Sequence, residues 1–77
     1  MKQFHIWMRS FADIQAFVAL SSKQSFDITV GTDDQDISAK SLMAMLGLNL
    51  RRPVTVRMNC DEAEFVRFQH DAARFLA

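Results

Sequence analysis

Residues 36–50 read DISAKSLMAMLGLNL, from Asp36 to Leu50. Ser38 is a favourable N-cap residue. Ala39, Lys40, Ser41, Leu42, Met43, Ala44, Met45 and Leu46 are all tolerable in a short helix. Gly47 or Asn49 can take the left-handed geometry that ends one. Leu42, Leu46 and either Met45 or Met43 recur at helical spacing, so one stripe is expected to face a core. A single stripe cannot hold all of these long side chains, and some apolar surface should stay outside. A short helix with an exposed Leu/Met surface, and with an unpaired Ser41 in its first turn, reads as a docking site.

Before this stretch, Lys2 to Met8 alternates with a period of two. Phe4, Ile6 and Met8 point one way and His5 and Trp7 the other, as in a strand with one face against helices. Trp7 then lies on the more open face, either half covered by a neighbour or marking a contact surface. Ser10 is an N-cap candidate, with Asp13 in the first turn where a carboxylate favours the helix dipole. Phe11, Ile14, Val18 and Ser21, flanked by Phe17, follow a helical repeat from about Phe11 to Ser22. Phe26, Ile28 and Val30 alternate with Asp27 and Thr29 as a second strand. Gly31 to Gln35 makes a turn, and Asp36-Ile37 a short return strand.

After it, Leu48 and Leu50 anchor an irregular loop, and Pro53 disfavours helix at Arg52. Val54, Val56 and Met58 alternate with Thr55 and Arg57 as a further strand. Asn59 or Asp61 caps a last helix expected over Glu62 to Phe75, with Phe65, Phe68, Ala72 and Phe75 or Leu76 as its apolar stripe. The order is βαββαβα. The expected fold class is α+β, one four-stranded antiparallel sheet with three helices layered on one face.

The sequence has 77 residues, enough for one domain spanning 1–77, and 49% of them are apolar. Nine basic residues balance nine acidic ones, which argues against nucleic acid, whose binding rests on a cationic field. No apolar run is long enough for a transmembrane helix, and the first residues lack a signal-peptide core. One cysteine excludes an internal disulfide, and a reduced cytoplasmic setting is the default expectation. No membrane partner, cofactor or metal is expected.

The segment Ser38-Ala39-Lys40-Ser41-Leu42-Met43, followed by Leu46-Gly47-Leu48-Asn49-Leu50, resembles the second helix of HPr, the histidine phosphocarrier protein of the bacterial phosphoenolpyruvate-dependent sugar phosphotransferase system. Phe17-Val18 and Phe26 to Val30 resemble the end of that family's first helix and its second strand. Val54-Thr55-Val56 and Asp61-Glu62 resemble its last strand and the start of its last helix. The resemblance implies the open-faced β-sandwich of HPr, in agreement with the periodicity.

The family carries its phosphorylated histidine in a Gly-Leu-His-x-Arg-Pro-Ala loop entering the first helix. This chain has Met8-Arg9-Ser10-Phe11-Ala12-Asp13 there, about three residues shorter. Aligned without a gap from Phe17-Val18, Ser10 falls near the histidine position, Ala12 near the arginine and Asp13 near the proline. Ser10 is thus a degenerate phosphocarrier position, and Asp13 puts negative charge where phosphate would sit. His5, inside a strand, and His70, on the last helix, read as ordinary surface or half-buried histidines with no metal-ligand spacing. Cys60 precedes a helix, where thiols can become reactive, but Asp61 and Glu62 oppose a thiolate. Asp33, Asp34 and Asp36 lack the EF-hand ligand series. Arg51-Arg52 forms a small basic patch in a loop, and Asp71 is placed to pair with Arg67 or Arg74.

Ser41 matches the serine that a dedicated ATP-dependent kinase phosphorylates in Gram-positive relatives, whose product docks on a transcriptional regulator. Leu42, Met43 and Leu46 match the apolar docking residues around it. A phosphate at a helix N-terminus meets free N–H groups and the favourable dipole end. Without the resemblance, Ser41 is an ordinary first-turn serine.

The functional expectation is a non-enzymatic, HPr-like protein-binding or regulatory domain. It works through Leu42, Met43, Leu46 and Leu48 and is open to regulation at Ser41. Its partners are proteins: phosphotransferase-system enzymes, an HPr kinase or a transcriptional regulator. Two alternatives stand beside it. One is a working phosphocarrier with an atypical site, and the other is a small structural domain that forms homo-oligomers through its Leu/Met patch. No catalytic residue is assigned, because no nucleophile–base pair or phosphate loop is visible.

Overall fold

The computed structural model describes residues 2–31, 35–48 and 52–76. Alternating apolar residues in Lys2–Ile6 (β1), Ile28–Gly31 (β2), Asp36–Ser38 (β3) and Val54–Met58 (β4) build one sheet in the order β1-β4-β2-β3. Every neighbouring pair is antiparallel. Ile6 lies opposite Val54, Val30 opposite Val56, and Val30 also opposite Ile37. The central strand β4 contributes Val54, Val56 and Met58 to the interior, while Thr55 and Arg57 remain partly exposed on the other face.

Helices Phe11–Ser22 (α1), Leu42–Met45 (α2) and Glu62–Asp71 (α3) complete the expected βαββαβα order. The buried side of the sheet meets Ile14 and Phe17 of α1, Met45 of α2 and Phe68 of α3 in one core. Its centre is aromatic. Phe17 packs edge-on against Phe68 at 5.9 Å between centroids and against Phe75 at 5.6 Å, and Phe4 packs edge-on against Phe65 at 5.9 Å. Such pairs add about 0.5–1.5 kcal/mol each beyond the area they bury.

The open face is polar. Gln3 stands opposite Arg57, Arg57 opposite Thr29, and Thr29 opposite Ser38. Arg57 Nη1 reaches Asp36 Oδ1 at 2.6 Å over Gly31. A Cβ at Gly31 would collide with that carboxylate and lie 2.6 Å from the guanidinium, so glycine lets the ion pair cross the sheet.

Three boundaries differ from the sequence expectation. The last helix does not run to Phe75: it ends at Asp71, turns at Ala72, and a 3-10 turn covers Ala73–Phe75. The first strand ends at Ile6, although Met8 is still buried. The second helix starts at Leu42, three residues beyond the position expected from a cap at Ser38. Residues 32–34 of the β2–β3 turn, together with Asn49, Leu50 and Arg51, lie outside the described residues.

Candidate functional site

The start of α1 is closed by its own residues. Ser10 has extended geometry, with φ −151° and ψ 166°, and its Oγ accepts the Asp13 N–H at 3.2 Å. That is the N-cap arrangement the sequence predicts, and it satisfies one of the helix's orphan donors. Asp13 answers it: its Oδ2 accepts the Arg9 N–H at 3.0 Å. Its Oδ1 lies 3.6 Å from Arg74 Nη2 of the C-terminal turn. A carboxylate thus already occupies the positive end of the helix dipole, flanked by two basic residues. The Arg9 guanidinium lies over the Trp7 ring at 4.4 Å, so Trp7 is half covered by a neighbour.

The second helix is organised differently from the expectation. Ser38 does not cap it. Ser38 pairs with Thr29 at the end of β3, its Oγ accepts the Lys40 N–H at 3.2 Å, and the Ala39 N–H donates to Ile28 at 3.0 Å. Sheet pairing of Ser38 therefore leaves Ala39 and Lys40 in a turn. The cap is Ser41, at φ −105° and ψ 108°, with Oγ accepting the Ala44 N–H at 3.3 Å. Ser41 is thus a partly buried cap with a bonded hydroxyl, not an unpaired first-turn serine.

Moving the cap changes which side chains turn inward. Met45 is fully buried and Leu48 is 8% exposed, both in the core beside Ala39. Leu42 and Leu46, expected on the core stripe, are 36% and 46% exposed, and Met43 is 83% exposed. Leu48 therefore leaves the proposed contact surface, because its side chain is already buried in the core. Leu42, Met43 and Leu46 form what remains, next to Ser41. Lys40 Nζ donates to the Gln24 carbonyl at 2.9 Å, tying this turn to the end of α1.

The histidines lie elsewhere. His5 is exposed in β1, and His70 is exposed on α3 with Nδ1 4.0 Å from Asp71 Oδ1. Cys60 is half-buried; burial first, then the charges of Glu64 and Asp61, raise its thiol pKa above the ordinary value. Lys2 bonds Glu62 Oε2 at 2.5 Å, and that hydrogen bond raises its pKa. Among the described residues, no cluster of three or more His, Cys, Asp or Glu side chains could hold a metal ion. No described helix is long and apolar enough to cross a membrane.

The sequence places Asp71 to pair with Arg67 or Arg74 and gives no sign of the Arg74–Asp13 pair that the structure holds. Helical spacing permits Arg74 to meet Asp71, but the chain leaves the helix at Ala72 and carries Arg74 across to α1. No local pattern announces that break.

No family model matches the sequence, and no curated protein matches it at a significant level. Solved structures do match. HPr-C-His from Thermoanaerobacter tengcongensis is 26% identical over 92% of this chain and 89% of that one, with a TM-score of 0.73. The fold is that of the HPr phosphocarriers. Phosphocarrier protein HPr from Bacillus anthracis is 19% identical, with a TM-score of 0.67, over 99% of this chain and 94% of that one. A histidine-containing phosphocarrier protein from Mycoplasma is 15% identical at the same TM-score, over 99% of this chain and all of that one. The last two share the fold alone with this chain. The architecture expected from periodicity and from the resemblance is therefore the architecture found.

Proposed function

We propose that this HPr-like domain acts within or beside the sugar phosphotransferase system as a protein-binding module, not as a histidine phosphocarrier and not as an enzyme. The single observation that carries the reading is the solvent-facing trio Leu42, Met43 and Leu46, spread along the one-turn helix α2 instead of being buried. A one-turn helix gains nothing for its own fold by presenting a methionine that is 83% exposed. A partner groove that desolvates it does gain, since methionine adapts to irregular apolar surfaces.

The other end of the proposal rests on Ser10 and Asp13. The position near the family's histidine holds a hydroxyl already accepting a backbone N–H. The helix end that would receive a phosphoryl group faces a resident carboxylate. A phosphoryl dianion there meets like-charge repulsion from the Asp13 carboxylate.

Ser41 is the proposed regulatory position. Its hydroxyl sits at the N-terminus of α2. A phosphate there would add negative charge beside the trio and exchange the neutral cap for a charge-assisted one. The partners it would serve are system enzymes, an HPr kinase or a transcriptional regulator.

The test is an NMR titration of the labelled domain with the phosphotransferase-system proteins of the same cell. Shifts confined to residues 41–46, abolished by Met43→Asp, support the reading. Shifts centred on β1 or α3, or a Met43→Asp variant that binds normally, overturn it. Incubation with ATP and an HPr kinase tests Ser41, and equal labelling of Ser41→Ala refutes that assignment.

A further inference from the structure

We infer that the C-terminal turn, Ala73 to Leu76, is a latch with two seats: docked across β1 and α1, or continued as the last turn of α3. The observation behind it is a conflict between sequence and structure. Ala72-Ala73-Arg74-Phe75-Leu76 contains no glycine or proline, and alanine, arginine and leucine are among the best helix formers. The helix nevertheless stops at Asp71, and Ala72 takes φ −95° and ψ 13°.

What breaks the helix is docking. Phe75 drops into the core at 4% exposure, 5.6 Å from the Phe17 ring. Its carbonyl accepts the Trp7 N–H at 2.7 Å, and Leu76 bridges Ile6 like a one-residue strand. Arg74 reaches Asp13. These contacts cover one end of β1, which is an edge strand in the order β1-β4-β2-β3. An uncovered edge is a template for unwanted pairing.

Release therefore need not produce a disordered tail. Four tertiary contacts are exchanged for continued helix in a segment that favours helix, so the alternative state has structure of its own. In that state the Trp7 N–H and the flank of Phe17 become accessible beside the start of α1.

Amide hydrogen exchange read at Trp7, with Val56 in the central strand as the reference for global opening, tests the latch. In the natural chain Trp7 should exchange faster than Val56. Phe75→Ala should speed Trp7 exchange by at least about tenfold, from the loss of one buried phenyl ring. It should also give residues 72–75 helical backbone shifts. Should that variant unfold, Ala73→Gly decides. Glycine penalises a continued helix at least as much as the docked turn, so Trp7 exchange should stay equal or slow. Exchange several-fold faster in Ala73→Gly means that the released tail is coil and overturns the latch. So does Trp7 exchange that opens only together with Val56.

Discussion

Ser21 and Cys60 show what single side chains reveal about this domain. The Ser21 hydroxyl is fully buried on the inner side of α1 with no hydrogen-bond partner among the described residues. An unsatisfied buried hydroxyl costs about 1–3 kcal/mol, and alanine is the better helix former. Ser21→Ala should therefore raise the midpoint of thermal unfolding; a loss of stability would mean that the hydroxyl has a partner in solution. Cys60 holds its proton more tightly in the fold than in the open chain, chiefly through burial. Its contribution to stability is present below the unfolded thiol pKa and is lost as pH rises through the folded value. Denaturant midpoints should fall above about pH 8.5, and the fall should be smaller in Cys60→Ala. Alkylation of the folded protein should lag behind that of a small thiol at the same pH.

Among the elements, α1 and α3 begin where their residues say they should, because capping is local. Ser10 meets Asp13 and Asp61 meets Glu64 within one turn of chain, and Asp61 with Glu64 completes a capping box. Asp61→Ala should cost about 1 kcal/mol, read from urea unfolding. The start of α2 was not legible, since Ser38 and Ser41 are both good caps and the choice falls to Thr29, a strand away. That one displacement moved Leu48 into the core and Leu42 and Leu46 out of it. The end of α3 was hidden for the same reason: the socket that receives Phe75 is built from α1 and β1. Exposed Met43 makes a sharp separation. Met43→Asp should leave the thermal midpoint within the small range of surface changes, about 0.5 kcal/mol, while weakening partner binding.

Taken whole, the molecule is a small α+β domain whose core depends on a few aromatic rings. A domain of this length holds about 0.05–0.15 kcal/mol of net stability per residue. Removing a buried phenylalanine costs about 3–5 kcal/mol. Phe17, at the junction of Phe68 and Phe75, is the ring whose loss should be felt most. Phe17→Ala should leave a chain without cooperative unfolding near 37 °C, by circular dichroism. At this scale the sequence was informative. Alternation in the strands and helical spacing between them specify the layers, and the residues around Ser41 carry the resemblance to HPr. What patterning could not supply was the state of the α1 mouth, because the Asp13 carboxylate is held from two directions by residues 9 and 74.

We propose that this HPr-like scaffold has given up phosphate transfer at α1. Incubation of the intact protein with phosphoenolpyruvate and the first enzyme of the phosphotransferase system, followed by mass spectrometry at neutral pH, tests it most directly. The protein should keep its unmodified mass while an authentic phosphocarrier in the same tube is labelled. An acid-labile phosphoryl group on His5 or His70, or a phosphoryl group on Ser10, would contradict it.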